Sequence, residues 1–146
     1  MIRTATPADA AALRDLHRRS SDIWEEDRAQ LDAHPDLFGV DPASLSAGRT
    51  RVAIDDDGTI SGFATVTDTC ELEDLFVEPE LMRGGIGSEL VADAVARAEA
   101  AGHTRMTVVA APRTLRFYER AGFAVESEAT TQFGPALLLA RALGCH

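Results

Sequence analysis

The stretch from Leu75 to Ser88 constrains this chain more than any other. Leu75-Phe76-Val77 has the character of a strand end, Glu78-Pro79 breaks it, and Gly84-Gly85-Ile86-Gly87-Ser88 turns into a helix. From Gly85 to Ala101 the apolar positions Ile86, Leu90, Val91, Ala94, Val95 and Ala98 recur at helical spacing, and Gly102 supplies a stop. Such a helix has one apolar stripe and must bury it on the sheet that holds the preceding strand, which makes the fold α/β. The glycines have a second consequence. Without Cβ atoms, successive backbone N–H groups can close on a diphosphate, and the helix N-terminus adds partial positive charge.

The rest of the chain supplies the remaining layers. Ile2 to Ala5 reads as a strand, and Thr6-Pro7-Ala8-Asp9 reads as a helix start with a helix through about His17. A second helix is expected over Ser21 to Ala33, after which Pro35 to Ser46 breaks regular structure. Arg51 to Ile54 and Ile60 to Val66 flank Asp55-Asp56-Asp57-Gly58 as a hairpin, and Cys70 to Val77 forms a further strand. Met106 to Ala110 reads as a strand, Arg113 to Ala121 as a short helix ended by Gly122, and Phe123 to Val125 and Ala136 to Leu139 as the last strands. Hairpins impose antiparallel pairs and a helical crossover imposes a parallel one. The expected architecture is therefore one α/β domain over residues 1–146, a mixed, mostly antiparallel central sheet flanked by helices.

Composition removes several classes of function. With 24 acidic against 14 basic residues, a net charge of -10, the chain lacks the cationic surface that nucleic acid requires. All of the basic residues are arginine, so a P-loop with its phosphate-reaching lysine is excluded. No apolar run approaches the ~20 residues of a bilayer span and the N-terminus lacks the apolar block of a signal peptide, so no membrane partner and a cytoplasmic location are expected. Cys70 and Cys145 are far apart, and His17, His34 and His103 have no metal-like spacing, so neither a disulfide framework nor a metal site is expected, and the histidines are assigned to surface or capping use.

A dinucleotide-binding site needs G-x-G-x-x-G in a parallel βαβ unit, whereas here Gly84, Gly85 and Gly87 follow a meander. Instead the segment resembles the acetyl-CoA-binding motif Q/R-x-x-G-x-G/A of the GNAT N-acetyltransferases. Gly85 and Gly87 match its glycines, Pro79-Glu80 its lead-in, and Gly122-Phe123 after Phe117-Tyr118-Glu119-Arg120 the family's C-terminal signature. Two positions depart from the pattern: Met82 stands at the Q/R position, with Arg83 one place late, and Pro112 stands where an asparagine often precedes the last helix. The resemblance implies acetyl-CoA as co-substrate, held by Arg83, Gly84, Gly85, Ile86, Gly87 and Ser88, with the backbone at Phe76 and Val77 polarising the acetyl carbonyl. It also implies a GNAT-like sheet and the possibility of a homodimer.

Acetylating an amine requires that the alkylammonium, with a pKa near ~10.4, lose a proton, and a carboxylate can accept it. Strand alternation sets Glu71 and Glu73 on one face of the Cys70 to Val77 strand and Leu72, Asp74 and Phe76 on the other. Leu72-Glu73-Asp74-Leu75-Phe76-Val77 resembles the corresponding strand of spermidine/spermine-type acetyltransferases, which implies Glu73 as the base, while Glu71 reads as solvated. Tyr118, the only tyrosine, occupies the place in F-Y-x-x-x-G-F where the family's tyrosine donates to the departing sulfur; in the alternative it packs on the sheet.

The acceptor stays open among polyamine, aminoglycoside, amino acid, peptide N-terminus and protein lysine. Ser21-Asp22-Ile23-Trp24-Glu25-Glu26-Asp27 follows the first helix, a region that in GNAT folds commonly lines the acceptor side, so Trp24 and Glu25 are candidate contacts to a small cationic amine. A non-catalytic acyl-CoA-binding or regulatory module is the competing reading. It would keep Gly84 to Ser88 but need neither Glu73 nor Tyr118.

Overall fold

The computed structural model describes residues 1–22, 40–79, 84–131 and 134–144. Strand β1 (Ile2–Thr4) leads through a 3-10 turn at Pro7–Asp9 into helix α1 (Ala10–Asp22). The start is fixed as its sequence implies: the Asp9 carboxylate accepts the Thr6 backbone N–H at 2.8 Å and is gripped by both terminal nitrogens of Arg3, at 2.9 and 3.0 Å. This pairing holds the Asp9 carboxyl down at about 2. Ser21 and Asp22 close α1, and the remainder of the helix expected to follow lies outside the described residues.

After a helical turn α2 (Pro42–Ser46), capped by Asp41, come β2 (Thr50–Ile54), β3 (Ile60–Val66) and β4 (Leu72–Val77). The expected hairpin is present, with Gly58 at φ +88° and the Asp55 side chain accepting the Asp57 and Thr59 N–H groups. Helix α3 (Ile86–Ala100), β5 (Arg105–Ala110), a 3-10 turn at Pro112–Thr114 with α4 (Leu115–Arg120), then β6 (Ala124–Thr131) and β7 (Gly134–Ala142) complete the order. The last two strands run well beyond the short segments expected, because exposed residues such as Ser127 and Glu128 carry no apolar alternation yet continue the ladder with β7 past a bulge at Glu126.

The α/β class stands, but the sheet is split. β1-β2-β3-β4 form one antiparallel sheet and β5-β7-β6 another. The parallel contact required by the α3 crossover is a single bridge, Glu71 to Thr107, with the Thr107 N–H donating to the Cys70 carbonyl at 3.1 Å. Cys70 adopts φ +63°, which is why β4 begins two residues later than expected.

Two apolar clusters hold the layers. Leu90, Val91 and Val95 of α3 pack on Leu72, Met106 and Leu139 of the strands, with Leu90, Met106 and Leu139 fully buried. Leu13 and Leu16 of α1 pack on Val52 and Phe63 of the first sheet. Each such side chain contributes roughly 1.5–3 kcal/mol by leaving water. Gly62 sets how closely α3 sits: a Cβ there would meet the Phe76 carbonyl at 3.0 Å and the Leu90 and Ile86 side chains at 3.1 and 3.2 Å. Between the first sheet and α1 runs one polar row, Thr50, Thr65 and Asp74 on neighbouring strands, with the two hydroxyls 2.8 Å apart.

Candidate active site

Where β4 and β5 diverge past the Glu71 bridge, a cavity of about 340 Å³ opens between them. Its walls are Leu75 and Val77 of β4, Val108 and Ala110 of β5, Gly87 of α3, and Phe117 and Tyr118 of α4. Glu73 and Tyr118 both line it, as do Phe76, Val77 and Gly87.

Glu73 shares the cavity side of β4 with Leu75 and Val77, two and four residues on, and sits at a bulge that turns Leu72 to that side as well. Thr65 pairs with Asp74 but Val66 pairs with Leu72, so Glu73 is the extra residue. The bulge overturns the expected division of faces. Leu72 packs into the α3 cluster while Asp74 and Phe76 face α1, although Leu72 and Asp74 are two apart. Glu73 itself is exposed.

Tyr118 is 7% exposed and wedged edge-on between Phe117, at 5.0 Å, and Phe123, at 5.7 Å between ring centroids. Burial pushes its phenol up to about 12, so it carries its proton throughout the neutral range. Packing and cavity lining are thus both uses of this ring.

The glycine turn has the geometry its sequence implies. Gly85 is the N-cap of α3 at φ +83°, with nothing within 4 Å of where its Cβ would be. A side chain would be strained there, and the open space leaves the first N–H groups of the helix, Gly85 to Ser88, approachable. Gly87 serves close packing: a Cβ would meet the Phe117 ring at 3.2 Å. Ser88 opens on the other side of α3, toward Arg120 and Arg141. Arg83 and Met82, like Trp24 and Glu25, lie outside the described residues.

Three features escape a linear reading. Ser20, near the end of α1, and Arg113 and Thr114, around the Pro112 departure, line the cavity. Asp74 is a carboxyl pushed up to about 6, chiefly by burial, against a hydrogen bond from Thr65 and with the Glu73 charge adding to the rise. His17, expected at the surface, is 8% exposed and stacks on Phe76 at 4.1 Å, because α1 continues past it and turns it onto the sheet.

The family model of the acetyltransferase (GNAT) domain matches residues 43–135, which include the β4–turn–α3 unit and Tyr118. The chain belongs to the GNAT acetyltransferase family. Solved structures agree on the fold. A GCN5-related N-acetyltransferase from Rhodopseudomonas palustris superposes with a TM-score of 0.82 at 21% identity, covering 98% of this chain and 95% of that one. The PaiA N-acetyltransferase of Thermoplasma acidophilum, solved with coenzyme A, gives 0.74 at 19% identity, covering 97% and 98%. A GNAT phosphinothricin acetyltransferase from Sinorhizobium meliloti, solved with acetyl-CoA, gives 0.73 at 21%, covering 99% and 88%. In this GNAT fold the split between β4 and β5 brings together Glu73, Phe76, Val77, Gly87 and Tyr118. Among the described residues no helix is long and apolar enough to cross a membrane, and no cluster of His, Cys, Asp and Glu could hold a metal ion.

Proposed function

We propose that this GNAT domain moves an acetyl group from acetyl-CoA to a primary amine bound in the same cleft, by direct attack. The observation that carries the reading is the β4–β5 cavity, lined at once by an exposed carboxylate, Glu73, and a proton-bearing phenol, Tyr118. Open N–H groups at the start of α3 fit a diphosphate, and the free edges of β4 and β5 fit the amides of an extended pantetheine arm. Coenzyme A and acetyl-CoA in two related folds support the same ligand here.

Acetyl-CoA supplies a thioester, whose sulfur leaves readily as a thiolate. Glu73 accepts the proton of the ammonium, directly or through water, so that the nitrogen lone pair is free to bond the acetyl carbon as the carbon–sulfur bond breaks. The backbone of Phe76 and Val77 holds the carbonyl oxygen where negative charge develops. Tyr118 gives its proton to the sulfur and recovers one, through water, from the acetylated nitrogen as that nitrogen sheds its second proton to become the amide. The Gly85–Ser88 turn, with Arg83, holds the diphosphate.

We infer a small cationic amine as acceptor. Ser20 lines the cavity near the end of α1, and the acidic sequence Trp24-Glu25-Glu26-Asp27 follows that helix in the chain. By their chemistry Trp24 and Glu25 suit such an acceptor, the one as a cation–π face and the other as a counter-charge.

A melting series with acetyl-CoA tests the assignment. A ligand that binds only the folded state adds ~2.7 kcal/mol at a hundredfold excess over Kd. A flat melting temperature up to millimolar acetyl-CoA refutes the reading. Gly85→Asp removes the shift, since it places a strained side chain and a negative charge at the turn. An amine panel followed by CoA release then identifies the acceptor, and binding without CoA release from any amine favours a non-catalytic module.

A further inference from the structure

A second cavity, of about 180 Å³, lies on the opposite end of α3, between that helix and strands β2 and β3. Its floor is apolar: Ala64, Val66, Leu90, Ala94 and Ala98. Its rim carries Arg49, Arg51 and Arg97, with Asp93 the one carboxylate among its lining residues. In a chain of net charge -10, this small hollow is thus locally cationic by about two charges, 3 Arg against 1 Asp.

The three guanidinium groups are not equivalent. Arg51 is held rigidly: two of its nitrogens donate to the Asp93 carboxylate at 3.0 and 3.1 Å and the third to the Thr4 hydroxyl at 2.9 Å. Of its five N–H donors, two remain. Arg49 meets Asp68 only at 4.0 Å, and that aspartate is 76% exposed, a contact of little worth in water. Arg97 is exposed on the last turn of α3. The helix end beneath opposes an anion less than a bare one would, because the carbonyls of Arg97, Ala98 and Glu99 are already taken by the Ala101, His103 and Gly102 N–H groups.

Like charges crowded over an apolar floor are relieved by an anion that has an apolar body. We propose that this cavity binds a small organic monocarboxylate, its carboxylate held by Arg97 and Arg49 beside the fixed Arg51, its short apolar body on Ala64, Leu90 and Ala98. The planar guanidinium fork matches a carboxylate, and the volume is below the 300–1,000 Å³ typical of drug-sized ligands. The site shares no lining residue with the β4–β5 cavity, so the proposal does not depend on the acetyltransferase chemistry.

The test is a melting and calorimetric titration of the full chain with benzoate at constant ionic strength, alongside benzyl alcohol and inorganic phosphate. A saturable shift with benzoate, exceeding both controls, is expected. Arg97→Gln and Arg49→Gln, both rim positions, are each expected to weaken benzoate about tenfold while leaving the acetyl-CoA shift intact. No saturable benzoate shift overturns the proposal, as does an equal response to benzyl alcohol or an undiminished response in the double variant. A phosphate response equal to that of benzoate refutes the role of the apolar floor.

Discussion

Asp74→Asn is expected to make the protein more stable at neutral pH. The carboxyl sits on the α1 face of β4, in the row with Thr65 and Thr50, and burial raises it from an ordinary 3.8 to about 6. The folded state therefore holds this proton more tightly than the unfolded chain does, so stability falls as pH rises from about 4 to about 6 and stays down above that. The difference corresponds to ~3 kcal/mol at most. An asparagine keeps an oxygen to accept the Thr65 hydroxyl but carries no charge to desolvate, so a gain of about 1–3 kcal/mol at pH 7.5 is expected. At pH 4.5, where folded Asp74 is already protonated, the same titration leaves only ~1 kcal/mol. Urea unfolding of parent and variant at both values measures it. An advantage equal at the two pH values, or none at pH 7.5, refutes the account of Asp74 as a buried ionised group.

Tyr118→Phe is expected to leave the acetyl-CoA melting shift in place and lower kcat by roughly 10²-fold; an unchanged kcat in steady-state assays returns the ring to packing alone. Glu73→Gln is expected to cost most rate at low pH, where free amine is scarce, and a loss uniform across the pH profile counts against its role as base. Asp9→Asn is expected to lose about 1–2 kcal/mol at pH 7 by urea unfolding, since the bond to Arg3 holds Asp9 at about 2; that contribution is full above about 4 and fades as pH falls through about 2, so a gap that persists at pH 2 contradicts it. For a polyamine acceptor kcat/KM is expected to fall as ionic strength rises while a neutral amine is little affected, and equal salt responses remove the case for an acidic acceptor surface.

The helical stripe of α3 and the glycines before it were legible because local rules dominate there: Gly85 has the positive φ that its place before a helix implies, and Ile86 to Ala98 follow one apolar face. The hairpin and the Asp9 capping contact were legible for the same reason. The split sheet was not, since nothing local to Cys70–Val77 or Met106–Ala110 says that their pairing stops after one bridge. His17 was misjudged because its burial depends on Phe76, a partner 59 residues away across the sheet. Arg113 and Ser20 join the cavity wall only through tertiary packing, and no periodicity marks them.

The position of Glu73 shows how core packing and site geometry become one problem. Leu72 has to enter the apolar cluster against α3, and Asp74 has to join Thr65 on the α1 face, yet residues two apart on a regular strand share a face. Only an inserted residue reconciles the two, and the inserted residue is left without a ladder partner. It cannot be apolar without exposing itself on an open edge, where charge also discourages pairing with another chain. A carboxylate satisfies both demands and, because the bulge lies where β4 turns away from β5, it projects into the cleft that their divergence creates. Replacing Glu73 by glutamine leaves the bulge intact and tests the chemistry alone, whereas deleting it is expected to force Leu72 or Asp74 onto the wrong face and unfold the first sheet before any question of activity arises.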